Sequence, residues 1–309
     1  MRLGSKTQGS AGLRMRLRSP AKVTLVLRVL SLRKDGYHDV QIALAPVSLY
    51  DTLEITRIPD KGLSLEVDSP EDLGPPEQNL VWRAAREFEA AAGIEVGVAM
   101  HLIKRIPSGA GLGGGSGNAA ATLIACNRLW GEPLGAERLH EAAARLGSDV
   151  PFFLEARPAW AEGRGERLRA LPDLPRLHLL AVKPRFSIAT GSSYRALAES
   201  RGALPVPPGA PSPPALKPLL KTVDEVVAAL HNDFEPLLCA RYPELAGIKT
   251  RLLAEGALGA LLSGTGSALF GVFAGDAARD RAAGRLARET EWAVMPCETL
   301  AGHRYESES

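Results

Sequence analysis

One loop carries the densest set of groups able to do chemistry in this chain: Pro107-Ser108-Gly109-Ala110-Gly111-Leu112-Gly113-Gly114-Gly115-Ser116-Gly117. Three templates compete to explain it. Gly109, Gly111 and Gly114 have the dinucleotide spacing G-x-G-x-x-G, but that motif also needs an acidic residue ending the next strand about 20 residues on. Glu132 instead follows a helix stop. Gly109 and Gly114 followed by Ser116 have P-loop spacing, yet Gly115 stands where the phosphate-binding lysine belongs. What remains is a cradle of closely spaced N–H donors opening onto a helix N-terminus, whose partial positive charge favours an anion such as a triphosphate. Ser116 would offer its hydroxyl to a phosphate or to Mg²⁺. A flexible glycine linker is the bland alternative, but linkers rarely separate a clear strand from a clear helix.

The elements that must position this loop are readable from periodicity. Lys22–Leu30 is an apolar, β-branched strand, and Val40–Leu49, Asp51–Ile58 and Gly62–Val67 continue a largely antiparallel sheet. Lys34-Asp35-Gly36-Tyr37-His38 marks a turn between the first two. Asn79–Ala92 reads as a helix, Val98–Ile106 as a strand, and Asn118–Trp130 as the helix that follows the glycine loop, which itself is too glycine-rich for regular structure. A further helix, Ala136–Leu146, is closed by Gly147 and leaves Asp149 at a sharp junction before Pro151. Leu177–Lys183 restarts the chain with a strand, Leu204–Pro218 is a Pro-rich surface loop, and Leu258–Phe273 brackets a second glycine turn at Ser263-Gly264-Thr265-Gly266-Ser267.

At 309 residues two domains are expected. Hydrophobic residues at 45% and charged residues at 23% describe a globular protein, and no apolar run approaches the ~20 residues of a membrane helix. A formal charge of +2 argues against nonspecific nucleic-acid binding and leaves a small anionic ligand compatible. Cys126, Cys239 and Cys297 are too scattered for a disulfide framework or a zinc site. Residues 1–18 are basic and lack a secretory segment, so a disordered tail and a cytoplasmic setting are expected, with Met15 as an alternative start.

Three motifs in order resemble the signatures of the GHMP small-molecule kinases: Ser19-Pro20-Ala21-Lys22-Val23-Thr24-Leu25, the loop from Pro107 to Ser116, and Leu262-Ser263-Gly264-Thr265-Gly266-Ser267. The resemblance runs from Ser19 to about Phe273. It implies an α/β (α+β) fold of two domains: an ATP-binding, ribosomal-protein-S5-like domain over residues 19–165 and a ferredoxin-like domain over 166–309. The segments Lys34–His38, Leu146–Pro151 and Asn232-Asp233-Phe234-Glu235-Pro236 are most similar to the branch that phosphorylates the 2-hydroxyl of a CDP-linked methylerythritol, using ATP and Mg²⁺, on the non-mevalonate route to isoprenoids.

Carried over residue by residue, the resemblance implies that Asp149 is the catalytic carboxylate and Lys22 its charged partner, where periodicity alone would leave a surface lysine and a helix N-cap. It implies that Tyr37 and Tyr194 stack on cytosine, that His38 hydrogen-bonds its edge, and that Thr190 touches substrate. Asn79 lies where such kinases line the adenine pocket, although a helix N-cap explains it equally well. Thr24 stands where the family usually has asparagine and Gly117 where it has serine, which implies lowered activity at worst. Two rival readings keep the fold: a kinase for a compact alcohol such as homoserine or a mevalonate-type substrate, and a noncatalytic nucleotide-binding relative.

Overall fold

Two long strands carry the first sheet of the computed structural model, which describes residues 13–33, 36–172, 174–200 and 220–306. Strand β1 (Arg14–Leu32) pairs antiparallel with β2 (His38–Arg57), which fuses the two strands expected on either side of Tyr50. Arg14–Arg18, expected in a disordered tail, are instead the start of β1, paired from Arg14 opposite Thr56 to Arg18 opposite Thr52. The cause is alternation: Leu17 is fully buried and Met15 packs on the core, while the arginines face outward. Residues 1–12 of the expected tail, the Lys34-Asp35 part of the turn, and the Leu204–Pro218 loop lie outside the described residues.

Strand β3 (Gly62–Asp68), helix α1 (Leu80–Ala92) and strand β4 (Gly97–Ile103) form a crossover, so β3 and β4 pair in parallel rather than antiparallel. Helix α2 (Gly114–Leu129) starts four residues before the expected Asn118, absorbing the last glycines of the loop into its first turn. Next come α3 (Ala136–Leu146), α4 (Val150–Glu155) and the hairpin of β5 (Ala159–Glu162) and β6 (Arg167–Ala170). The expected boundary at 165/166 falls inside that hairpin, where Glu162 faces Arg167, and both strands belong to the first sheet through pairing of β5 with β2.

The second sheet begins at β7 (His178–Lys183). It is followed by α5 (Thr190–Ser200), α6 (Val223–Ala229), the short β8 (His231–Asn232), α7 (Glu235–Arg241), α8 (Pro243–Ala254), β9 (Gly259–Leu262), β10 (Leu269–Phe273), α9 (Asp276–Glu289) and β11 (Ala293–Glu298). Its order, β11-β7-β10-β9, is the antiparallel arrangement of a ferredoxin-like unit. Strand β8 leaves this domain and pairs in parallel with β1. The Asn232–Glu235 motif is thereby a latch. Asn232 Nδ2 donates to the carbonyls of Leu262 and Gly264, each at 2.8 Å, the Asp233 carboxylate accepts from Val29 N at 2.7 Å, and Glu235 accepts from Leu262 N at 2.7 Å.

Asp51 fixes where β4 stops and the glycine loop starts. It is fully buried on β2 and accepts from Arg105 N at 2.7 Å, Ile106 N at 2.8 Å and Asn118 Nδ2 at 3.0 Å, and its other charge partner is Lys104. These bonds draw residues 104–106 out of the strand geometry expected for them and tie them to α2. Removing one member of such a buried pair leaves the other uncompensated, at a cost of about 3–5 kcal/mol. Asp51→Ala is therefore expected to lower unfolding stability by roughly that amount, measured by urea denaturation; a loss under about 1 kcal/mol would show that the hub is not structural.

Candidate functional site

A cleft of about 1040 Å³ lies where the middle of β1, the glycine loop, the Gly264-Thr265 turn and α5 meet. The structure brings nearly all of the expected site residues to its walls: Lys22, Asp149, Asn79, Tyr37, His38, Thr190, Tyr194, and the loop residues Pro107–Gly111 and Gly113–Ser116. Leu112 and Gly117 do not line it. The Leu112 side chain is buried in the core, and its carbonyl accepts from Lys22 N at 2.9 Å. A Cβ on Gly117 would meet the Pro20 carbonyl oxygen at 2.8 Å, so α2 packs closely on β1 there.

Lys22 owes its place to an irregularity in β1. The register slips between Pro20 and Ala21, and Pro46, opposite Lys22, has no N–H to give. The Lys22 N–H donates to the loop at Leu112 O, and its side chain, 4% exposed, donates to Gly111 O at 2.7 Å and Thr24 Oγ1 at 3.0 Å. Burial holds the amine below the usual lysine range, and the nearby Asp149 charge pulls partly the other way. Thr24 thus orients Lys22, where a family asparagine was expected to meet substrate.

Gly111 is the closest point of the loop. Its φ of 73° is left-handed, and a Cβ there would stand 2.0 Å from the Ser263 carbonyl. The two glycine turns are stitched together by Ser263 Oγ donating to Gly111 O at 3.0 Å and Ala268 N donating to Ala110 O at 3.0 Å. Thr190 and Thr265 hydroxyls meet at 3.1 Å and add α5 to the same wall. Asn79 serves as N-cap of α1, accepting from Val81 N at 2.9 Å, while also lining the cleft. Asp149 precedes α4 without capping it, so its carboxylate is not consumed by the helix.

At the far end of the cleft His38 and Tyr194 stack with centroids 5.3 Å apart, and Tyr194 meets Phe234 edge-on at 4.9 Å. Burial and the Asp149 charge push the Tyr194 hydroxyl up to about 12, so it remains a donor at neutral pH. Tyr37 is half exposed, with the Arg164 guanidinium 4.8 Å over its ring. Arg164 and Lys104 are cleft residues that the sequence did not single out. Lys104 stands beside Gly114, 3.2 Å from where a Cβ would be, which puts a cation next to a loop whose own lysine position is glycine. A lysine at a strand end and an arginine in a hairpin turn give no periodic signal that separates them from surface charges.

The N-terminal GHMP kinase family model matches residues 79–157 and the C-terminal one residues 208–290. The chain belongs to the GHMP kinase family, whose members take their phosphoryl group from ATP. It is 41% identical over 273 residues to the 4-diphosphocytidyl-2-C-methyl-D-erythritol kinase of Pelotomaculum thermopropionicum, covering 88% of this chain and 93% of that one. A solved structure of 4-(cytidine 5'-diphospho)-2C-methyl-D-erythritol kinase is 35% identical with a TM-score of 0.76, over 93% of this chain and all of that one. A homoserine kinase from Cytophaga hutchinsonii, at 18% identity and a TM-score of 0.69 over 97% of this chain and 98% of its own, shares the fold. The three cysteines are free, and among the described residues no helix is long and apolar enough to cross a membrane.

The burial of Lys22 has a measurable consequence. Its folded-state value is depressed, so the charged form costs stability at neutral pH, and the cost fades as pH rises towards the ordinary lysine range. Gly111 O would keep Ser263 Oγ as partner, and Asp149 is partly exposed to water. Lys22→Met is accordingly expected to be neutral or stabilising at pH 7, with the gain shrinking as the pH rises towards the ordinary lysine range. Urea melts at several pH values check this, and a clear destabilisation would identify Lys22 as a structural residue.

Proposed function

We propose that this chain transfers the γ-phosphoryl group of ATP to the 2-hydroxyl of 4-diphosphocytidyl-2-C-methyl-D-erythritol, on the non-mevalonate route to isoprenoid precursors. The observation that carries this reading is one cleft with a phosphate cradle in the middle, a buried lysine and a carboxylate beside it, and a stacked aromatic pair at the end. The cleft takes in Tyr37, His38 and Tyr194 in addition to the glycine loop, a set of rings that suits a pyrimidine and that a compact alcohol such as homoserine would leave unused.

In this reading the N–H groups of the glycine loop and the N-terminus of α2 hold the ATP phosphates, with Lys104 adding charge from the side. Asn79 faces the adenine end. Ser116 is the residue of the cradle suited to Mg²⁺: its hydroxyl is a hard oxygen donor, it lines the cleft, and the buried carboxylate of Asp51 is already engaged. When bound, Mg²⁺ would neutralise negative charge on the phosphates. His38 and Tyr194 receive cytosine, with Tyr37 and Arg164 closing over it and Thr190 positioning the diphosphate-bearing portion.

The acceptor hydroxyl then lies between Lys22 and Asp149. A loose phosphoryl-transfer transition state needs alignment and charge neutralisation, which Lys22 provides while its amine is held by Gly111 O and Thr24. Asp149 accepts the hydroxyl proton as the oxygen attacks, and its charge acts on both Lys22 and Tyr194.

Asp149→Asn should lower kcat by about 10²–10⁴ while ATP affinity, measured by calorimetry, stays within about twofold; retention of most turnover would remove Asp149 from this role. CMP should compete with the alcohol substrate. Tyr194→Ala should raise KM for that substrate by about 5- to 150-fold, the equivalent of about 1–3 kcal/mol of base stacking, with Tyr194→Phe close to wild type. Indifference to CMP together with turnover of homoserine would move the chain to the compact-alcohol class.

A further inference from the structure

Residues 303–305 do not line the cleft, yet they are bonded to each of the three elements that carry Lys22, the phosphate loop and Asp149. The segment arrives along β2, where Leu300 N donates to Pro46 O at 2.9 Å. His303 Nε2 donates to Arg18 O at 2.8 Å, on β1 just ahead of Lys22. Arg128, in the last turn of α2, donates to Tyr305 O. At the C-terminal end of α4 the Tyr305 hydroxyl donates to Phe153 O at 2.8 Å, and His303 N donates to Ala156 O at 2.9 Å.

Helix α4 has six residues, too few to be held by propensity, so what grips its ends decides where it lies. The last carbonyls of any helix point past its end without a helical partner, and here residues 303–305 bring them donors. Ala156, which closes the helix, is left-handed at φ 41° although it carries a Cβ, and the bond from His303 N holds it there. At the opposite end Asp149 directly precedes α4. Phe153, one turn on from Asp149, joins the two regions. Its carbonyl is bound by Tyr305, and its ring packs where a Cβ on Gly113 would stand, 2.8 Å from Phe153 Cζ and 3.0 Å from Lys22 Cγ.

Tyr305 is 3% exposed, and burial pushes its hydroxyl above the usual tyrosine range, so it stays a donor at any working pH. The His303 ring meets it edge-on at 4.8 Å. We infer that Tyr305 is a positioning residue for the reaction: by holding the C-terminal end of α4 it fixes where Asp149, at the other end, meets the acceptor hydroxyl. The inference rests on Asp149 as proton acceptor in the transfer proposed above. Such a step is exacting, because a misplacement of ~1 Å can cost about 10²-fold in rate.

The test is Tyr305→Phe, which keeps the ring and removes the hydroxyl that reaches Phe153 O. With ATP and 4-diphosphocytidyl-2-C-methyl-D-erythritol, kcat is expected to fall about 5- to 50-fold. KM for each substrate should stay within about twofold, since the loop keeps its own bonds at Ala110 and Gly111. In an Asp149→Asn background the same change should cost less than about twofold, because the group it positions is gone. A wild-type kcat in Tyr305→Phe, or an equal loss with and without the Asp149 carboxylate, would overturn the inference; so would raised KM values at unchanged kcat. The exposed Arg128→Gln, which releases Tyr305 O from α2, serves if Tyr305→Phe does not fold. It should lose about 2- to 5-fold in kcat, and no loss would count against Tyr305 equally. Absence of turnover by the wild-type chain would remove the transfer reading and this inference together, whereas wild-type turnover undiminished in Tyr305→Phe removes the inference alone.

Discussion

A single buried ammonium group organises this molecule's working centre. Lys22 leaves water at a place where its own strand cannot complete its ladder, and the group must be compensated by what surrounds it. The compensation comes from a loop carbonyl, a threonine hydroxyl and the field of Asp149, each on a different segment. The glycines are constrained by the same contact. Gly111 must bring its carbonyl to the amine while its Cα passes against Ser263, and Gly264 approaches the amine from the second domain, where a Cβ would come within 3.2 Å. A charge that disfavours folding is thus the point at which three sequence motifs converge, the arrangement expected when polar burial serves chemistry rather than stability.

Around that centre the fold uses buried carboxylates and amides as fixed joints. Asp51 ties the end of β4 to α2 and so sets the origin of the phosphate loop. Asn232 and Asp233 tie β8 and the second glycine turn to β1, so the ferredoxin-like unit is held to the first sheet at the edge nearest the cleft. The two joints lie on either side of Lys22 in the structure's connectivity: one governs where phosphate sits, the other where the second wall stands. The aromatic pair His38–Tyr194 depends on the latter, because Tyr194 packs edge-on against Phe234, whose own N–H donates to Asn232.

Local chemistry made much of this legible in the sequence. The glycine loop, the junction at Asp149, the helix Ala136–Leu146 and the turn around Gly264 each announce themselves through spacing and residue type, and the missing lysine at Gly115 directs attention to Lys22. What escaped is long-range. That Arg14–Arg18 form a strand depends on β2 lying beside them, since three arginines among two apolar residues give only a short alternation. That β3 and β4 pair in parallel depends on the crossover through α1. The start of α2 at Gly114 was obscured because glycine disfavours helices, a penalty offset here by contacts to Ile106 and Pro20 that only glycine permits. Asp51 and Lys104 are ordinary charges in a strand until the fold buries them together.

Lys22 and Asp149 form one electrostatic unit, and its direct measurement is the titration of the Lys22 side chain by nitrogen-15 NMR in the wild type and in Asp149→Asn. Lys22 is expected to titrate below the ordinary lysine value in the wild type and lower still in Asp149→Asn, because the carboxylate's charge favours the ammonium form. An ordinary lysine titration, or one that does not move when the Asp149 charge is removed, would contradict the account.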